Sequence, residues 1–358
     1  YNVVISTENA VVSGFFGWCG AGSSIKNLGL VNIYLSSIDD EYFESAVSGS
    51  LVGANEGVIS DCYETGSVTT MLTGDGDVQG NTGGLVGYNS GTITACFGMG
   101  SVTATAINFD DPSVYLAVGG LVGQNGGTIS DCYATGAVEG LSSDLVYAGG
   151  LVGWNSFAII RTCYATSSVK VAGYEEVNAG GLVGDNFNST ISNCYAMGVV
   201  EASGNDGVYA EVYAGGLVGF NSSTITACYA MGAVAAMSCN EAGAGGLVGF
   251  NYGEISTCYA TGAATATGDE AEEYVGGLLA YNWGSGAVMD SFWDVIKSGI
   301  NMSAGGVGAV GLETAIMLQQ STFVNVGWDF TAVWSITPDV TYPWLQALDY
   351  TDTGYPMP

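Results

Sequence analysis

One phrase, Leu-Val-Gly-x-Asn or a close relative of it, recurs eight times along this chain, and seven copies are followed by a cysteine at a nearly constant distance. The phrase asparagines are Asn55, Asn89, Asn125, Asn155, Asn186, Asn221, Asn251 and Asn282; the cysteines are Cys62, Cys96, Cys132, Cys163, Cys194, Cys228 and Cys258. A period of 30 to 36 residues, held over about 230 residues, is the mark of stacked repeats, in which each unit buries its apolar face only against its neighbours. The two or three globular domains that 358 residues would otherwise allow give way to one elongated array.

The spacing separates a rigid arc from a variable one. Asparagine to cysteine is seven residues in five repeats and eight in two, whereas cysteine to the next asparagine runs from 23 to 29. The constant arc belongs inside the stack and the variable stretch to surface loops. After each cysteine, small or β-branched residues alternate with others, as in Cys132, Ala134, Gly136 and Val138, which predicts a strand. Before it stands an apolar residue three positions back (Ile59, Ile93, Ile129, Ile160, Ile191, Ile225, Ile255), of the wrong parity to share a face with it. A bend at the intervening Asp, Asn, Thr or Ala would turn both inward. A unit of about 30 residues with three short strands and corners is a rung of a β-solenoid. The expected fold is therefore all-β, a solenoid (β-helix) of about 8–9 coils at roughly 4.8 Å per coil, on the order of 40 Å tall. Residues 1–50 are expected to form an opening strand and first coil, 51–292 the repeats, and 293–358 a C-terminal cap or connecting arm. The apolar run within Tyr1–Ser6 is expected to be an edge strand. Stacked asparagine amides would hydrogen-bond along the axis, so all eight are assigned to structure.

These residues resemble the GLUG motif found in large secreted and surface-anchored bacterial and archaeal proteins. The resemblance is carried by Gly84-Leu85-Val86-Gly87-Tyr88-Asn89, then Ile93, then Cys96-Phe97, and by their equivalents from Leu51 to Asn282. Gly14-Phe15-Phe16-Gly17 and Ile25–Leu30 resemble a first coil, with Leu28 in the cysteine position. Ser291-Phe292-Trp293-Asp294, Ser303–Gly306, Gly327–Phe330 and Tyr342–Leu345 resemble the segment that closes such arrays, with Ser291 ending the cysteine ladder. The resemblance implies a secreted β-solenoid without catalytic residues of its own.

Composition narrows the function. The formal charge is −30, and the basic residues are Lys26, Arg161, Lys170 and Lys297. Such a chain repels nucleic acid and anionic membrane surfaces and attracts cations or basic partners. There is no histidine, so a Ser-His-Asp triad, a Cys-His nucleophile and a histidine-ligated zinc are excluded. No apolar run is long enough to span a membrane. Starting at Tyr1 rather than Met, the chain is expected to be a processed, secreted product.

The candidate sites are few. The seven ladder cysteines are expected to be buried thiols; vertical disulfides between coils are the alternative, with metal binding third. Cys19 and Cys239 lie off that ladder and are the candidates for a bridge between subunits. Weak cation candidates are Asp75, Asp77, Asp110, Asp111, Asp269, Glu270, Glu272 and Glu273. None has an EF-hand spacing, and calcium is the one structural ion considered; the bland reading is a solvated acidic rim. No other cofactor is expected. The x of the motif (Ala54, Tyr88, Gln124, Trp154, Asp185, Phe220, Phe250, Tyr281) should point outward, and with the aromatic after each cysteine would either pack under the loops or make one side a contact face for other subunits or glycans. The sequons at Asn188 and Asn301 are candidates for glycosylation; that at Asn221 should be buried. The expected function is a non-catalytic extracellular structural subunit of a filament, sheath or cell-surface layer, assembling with itself through open strand edges. The alternatives are an adhesin-like stalk recognising glycans or a host surface, and a spacer from a large surface protease.

Overall fold

The computed structural model describes residues 4–8, 11–39, 45–74, 77–108, 113–204, 210–268 and 272–348. One middle coil shows the plan. Its strands are Glu176–Gly180, Val183–Phe187, Thr190–Ser192, Tyr195–Ala196 and Val200–Gly204. Each pairs in parallel with its equivalent one coil away, as in Val183↔Val218 and Tyr195↔Tyr229. The first three generate three nine-stranded sheets, here called the glycine, asparagine and isoleucine sheets after the residue each contributes to a corner or core. The last two together build a 17-stranded tyrosine sheet. Nine strands per sheet enclose eight full turns, the all-β solenoid that the repeat predicts.

Two details differ from the expectation. A coil has five short strands, not three, and the stretch after the cysteine is not one strand. It breaks between Tyr133–Ala134 and Val138–Ser142, where Gly136 runs so close to the coil above that a Cβ would stand 1.8 Å from the Gly100 carbonyl oxygen.

The corners have identifiable causes. The residue before the cysteine position is left-handed in every coil: Asn27, Asp61, Ala95, Asp131, Thr162, Asn193, Ala227, Thr257 and Asp290 all have φ between 47° and 57°. That reversal brings isoleucine and cysteine onto the same interior. At the corner after the asparagine sheet Asn55, Asn89, Asn125, Asn221 and Asn251 turn the chain by accepting from a backbone N–H two residues on, as Asn125 Oδ1 does from Gly127 N at 3.2 Å. The Gly-Gly corner is dictated by space rather than by φ. A Cβ on Gly119 would lie 2.0 Å from the Val122 carbonyl oxygen, and one on Gly120 2.2 Å from that of Gly150.

Two interiors run the length of the rod. One is filled by the repeating Leu, Val, Ile, Cys and Ala, exemplified by Leu151, Val152, Ile160, Cys163 and Ala165. The other, between the glycine sheet and the later strands of the tyrosine sheet, holds smaller Val and Ala such as Val138, Val146 and Ala148. The N-terminal strand Val4–Glu8 adds to the tyrosine sheet beside Gly29–Asp39, which places the expected edge strand; residues 1–3 lie outside the described residues.

The C-terminal segment does more than close an end. It carries short helices at Val295–Ser298, Thr314–Met317 and Gln320–Val324 and a small antiparallel pair, Trp334–Ser335 with Trp344–Leu345. It folds back along the side of the rod, packing Met317, Phe323, Trp328, Trp334, Tyr342 and Leu345 onto Tyr164, Tyr195, Tyr229 and Tyr259. Tyr259 Oη donates to the Pro343 carbonyl at 2.7 Å, and Tyr342 Oη to the buried Asp294 carboxylate at 2.6 Å. Residues 302–304 also bond to the last coil, with Gly277 N donating to Met302 O at 2.9 Å and Ala304 N to Leu279 O at 3.1 Å. At the other end Val12–Ser13, Phe16–Cys19 and Ser24–Lys26 are the outermost strands of their sheets.

Candidate functional site

Three files of identical side chains run along the axis. In the asparagine file each Nδ2 donates to the Oδ1 of the next coil, from Asn55→Asn89 at 2.7 Å through Asn155→Asn186 at 2.9 Å to Asn251→Asn282 at 2.7 Å. Asn221 is fully buried in this file. In the cysteine file a backbone N–H meets the sulfur of the next coil, as Cys132 N does Cys163 Sγ at 3.4 Å, and each thiol donates to the carbonyl two residues back, as Cys163 does to Arg161 O at 3.1 Å. All nine cysteines are free thiols. Burial pushes the Cys62, Cys163 and Cys228 thiols up. Against their burial, hydrogen bonds from the neighbouring thiols and backbone draw Cys132 and Cys194 down, so the direction alternates along the file from Cys132 to Cys228. Ser291 takes over the file's last position, accepting from Cys258 N at 3.1 Å. The third file stacks Tyr63, Phe97, Tyr133, Tyr164, Tyr195, Tyr229 and Tyr259 at ring separations of 4.8–5.0 Å.

One of the two expectations for that aromatic file was an exposed contact face. From Tyr164 to Tyr259 it is instead covered by the chain's own C-terminal segment, with Tyr133 packed against the same cluster; Tyr63 and Phe97 are half-buried. Cys19 is also placed differently from a surface thiol: it is in register with Asn55, at the head of the asparagine file, and only 4% exposed. Buried there, it is not presented to another chain. Cys239 is exposed. Asn188 and Asn301 are exposed. Asp77, Glu272 and Glu273 are exposed as well, while Asp75, Asp110, Asp111, Asp269 and Glu270 lie outside the described residues. Among the described residues no three His, Cys, Asp or Glu converge as a metal cage.

The most chemically loaded surface is the corner between the outer faces of the glycine and asparagine sheets. Four glutamates stand in register there, Glu176↔Glu211↔Glu241↔Glu272. Beside them run Tyr147, Asn178, Tyr213 and Tyr274 from the same sheet, and Trp154, Asp185, Phe220, Phe250 and Tyr281 from the motif's x position. Tyr213 Oη donates to Glu241 Oε1 at 2.8 Å and Tyr274 Oη to Glu272 Oε2 at 2.5 Å. Tyr115, Tyr147 and Trp154 pack edge to face, with centroids 5.2 Å apart from Tyr115 to each of the others. Asn178 Nδ2 bridges two carboxylates, Glu176 Oε1 at 2.6 Å and Asp185 Oδ2 at 3.4 Å. Burial, reinforced by the neighbouring Glu176 charge, pushes the Asp185 carboxyl up to about 8. Burial raises Glu176 too.

A second buried acid, Glu64, sits where later coils carry alanine, in register with Gly98 and hence Ala134. Its Oε1 accepts from Gly100 N at 2.9 Å, its Oε2 is buried without a partner among the described residues, and burial pushes the carboxyl up to about 7. A Cβ on Gly100 would lie 2.4 Å from Oε2, so glycine makes the room.

Of these glutamates the sequence singles out Glu272 alone, as a loop residue; Glu64, Glu176, Glu211 and Glu241 emerge from the fold. The glutamate file had a signal: each member stands four residues before a Gly-Gly pair (Gly180-Gly181, Gly215-Gly216, Gly245-Gly246, Gly276-Gly277). Glu64 had one as well, being two residues after a ladder cysteine where Ala134, Ala165, Ala196, Ala230 and Ala260 stand in other repeats.

Comparison with known proteins agrees with the geometry. The family model described as the GLUG motif matches residues 115–139, 144–170 and 240–267. No curated protein and no solved structure matches. Each matched stretch spans strands and corners described above, and the same strands recur in register in the unmatched coils. Three stretches of this chain carry the GLUG motif, and in each the motif is the building block of a solenoid coil.

Proposed function

We propose that the chain is a non-catalytic extracellular structural protein, a subunit of a surface filament, sheath or cell-surface layer. GLUG repeats on a β-solenoid fit a repeat-based structural or surface protein, and such proteins are typically extracellular. No helix among the described residues is long and apolar enough to cross a membrane. The observation that carries the reading is the set of exposed apolar side chains at both ends of the rod. The first coil exposes Phe15, Phe16 and Trp18 (60% exposed) beside strands with one free edge. The far end exposes Trp283, Met289, Met302 and Val307. Exposed apolar clusters at open sheet edges are where copies of a chain meet. Residues 302–304 bond to the last coil at Gly277 and Leu279, while Glu272–Gly276 and Ala287–Met289 are the outermost strands of their sheets, as Val12–Ser13 and Ser24–Lys26 are at the other end. Negative-stain micrographs and light scattering test this. Polymers or end-joined rods are expected, and Trp18→Glu should return them to single rods. Single rods from the unaltered chain at high concentration would reject self-assembly.

The acidic–aromatic corner favours a second reading, an adhesin-like stalk that recognises glycan or a host surface. Isolated rods that bind a glycan array through that corner, with loss on Trp154→Ala, would select it. A spacer within a large surface protease would do neither.

A further inference from the structure

The corner around Asp185 has a chemistry that stacking does not require. Asp185 is 7% exposed and Asn178 is fully buried, yet Asp185 Oδ1 and Asn178 Oδ1 have no hydrogen-bond partner among the described residues. The Tyr115 hydroxyl, whose ring packs on the same Trp154, is also buried and unpartnered. Buried polar atoms are ordinarily satisfied, and several orphans in one place ask for a missing partner. Here the orphans are all oxygens. They stand beside two carboxylates joined by one amide, and Asp144 and Glu211 add negative charge to Glu176. Among the described residues the one ion pair, Lys170 to Glu201 at 3.9 Å, lies on the tyrosine sheet and not at this corner.

We propose that the corner formed by Glu176, Asn178 and Asp185 binds a hard divalent cation of the calcium class through the two carboxylates, the Asn178 carboxamide turning over so that its oxygen replaces the Nδ2 that bridges them. Calcium takes carboxylate and carboxamide oxygens in flexible sets of 6–8, with water completing the shell. Nitrogen- and sulfur-seeking metals are disfavoured because the surroundings offer neither imidazole nor thiolate. The cation would neutralise a like-charged pair at the corner of one coil, where Glu176 of the glycine sheet and Asp185 of the asparagine sheet meet across Asn178. This site is independent of whether the rod polymerises.

Terbium, a luminescent stand-in for calcium, tests the proposal on the full chain, because Trp154 neighbours Asp185 in the file and would sensitise its emission. Tryptophan-excited terbium emission is expected, displaced by calcium, at least tenfold weaker in affinity for Asp185→Asn and unchanged for Glu201→Gln. Calcium should raise the melting temperature of the unaltered chain and not that of Asp185→Asn. Equal terbium affinity in Asp185→Asn would place the ion elsewhere on the acidic surface and overturn the assignment. So would an Asp185→Asn variant more stable than the unaltered chain at pH 7 with calcium inert on both, since the corner would then be satisfied by a proton. Circular dichroism of each variant verifies that it retains the β-sheet fold.

Discussion

Two residues test the local physics. Ala95 occupies the left-handed corner at φ 50° and is exposed; a Cβ there costs about 1–2 kcal/mol relative to the right-handed basin. Ala95→Gly removes that strain but adds freedom to the unfolded chain, so a net gain of about 0.5–1 kcal/mol in urea unfolding is expected. Asp61, Asp131 and Asn193 fill the same corner with residues that tolerate it. Glu64 is the second. Its folded-state carboxyl titrates at about 7 against an ordinary 4.5. A raised value means that the folded chain holds the proton more tightly than the unfolded one. Its contribution is thus fully present below pH 4.5 and lost as pH rises through 7. The difference of about 2.5 units corresponds to about 3 kcal/mol. Glu64→Gln should therefore match the unaltered chain at pH 4 and exceed it by up to that amount at pH 8, in denaturant titrations at both values.

The files convert single contacts into continuous elements. A thiol in the cysteine file lies against the next coil's N–H and its own corner carbonyl, so no reagent reaches it without separating coils. Eight cysteines are buried and Cys239 is exposed. An aromatic disulfide reagent should label one thiol per native chain and nine in denaturant. Rapid native labelling of several would mean that coils open independently, as one-dimensional arrays do when neighbour interfaces are weak. The five strands of a coil were only partly legible. Isoleucine and cysteine three residues apart demanded a bend, and the left-handed residue supplies it. The break near Gly136 leaves no such mark, because alternation continues across it while a neighbouring carbonyl forces the chain aside.

Across the whole molecule the C-terminal segment is the least repetitive part and the most consequential for the surface. Trp334 is 1% exposed and lies against Tyr229 and Tyr259 at centroid distances of 6.3 and 6.1 Å. Trp334→Ala should cost about 3–5 kcal/mol of local stability. The segment would detach and become protease-sensitive while the β-sheet circular dichroism of the coils persists. Loss of all structure together would instead show that rod and segment unfold as one unit.

Periodicity was readable because each repeat meets the same neighbours, so every buried position is written again about thirty residues later. It dictated the stacked all-β rod, the inward Leu, Ile and Cys and the asparagine file, down to Ser291 at the end of the sulfurs. What a coil contacts outside its own stack is written once and has no period. The direction in which residues 295–348 fold back, the burial of Cys19 and the meeting of Asp185 with Glu176 depend on two sheets closing a corner. The acid pair stands nine residues apart within one coil, the spacing that separates Glu211 from Phe220, Glu241 from Phe250 and Glu272 from Tyr281 in other coils. The folded corner alone shows that these two positions meet.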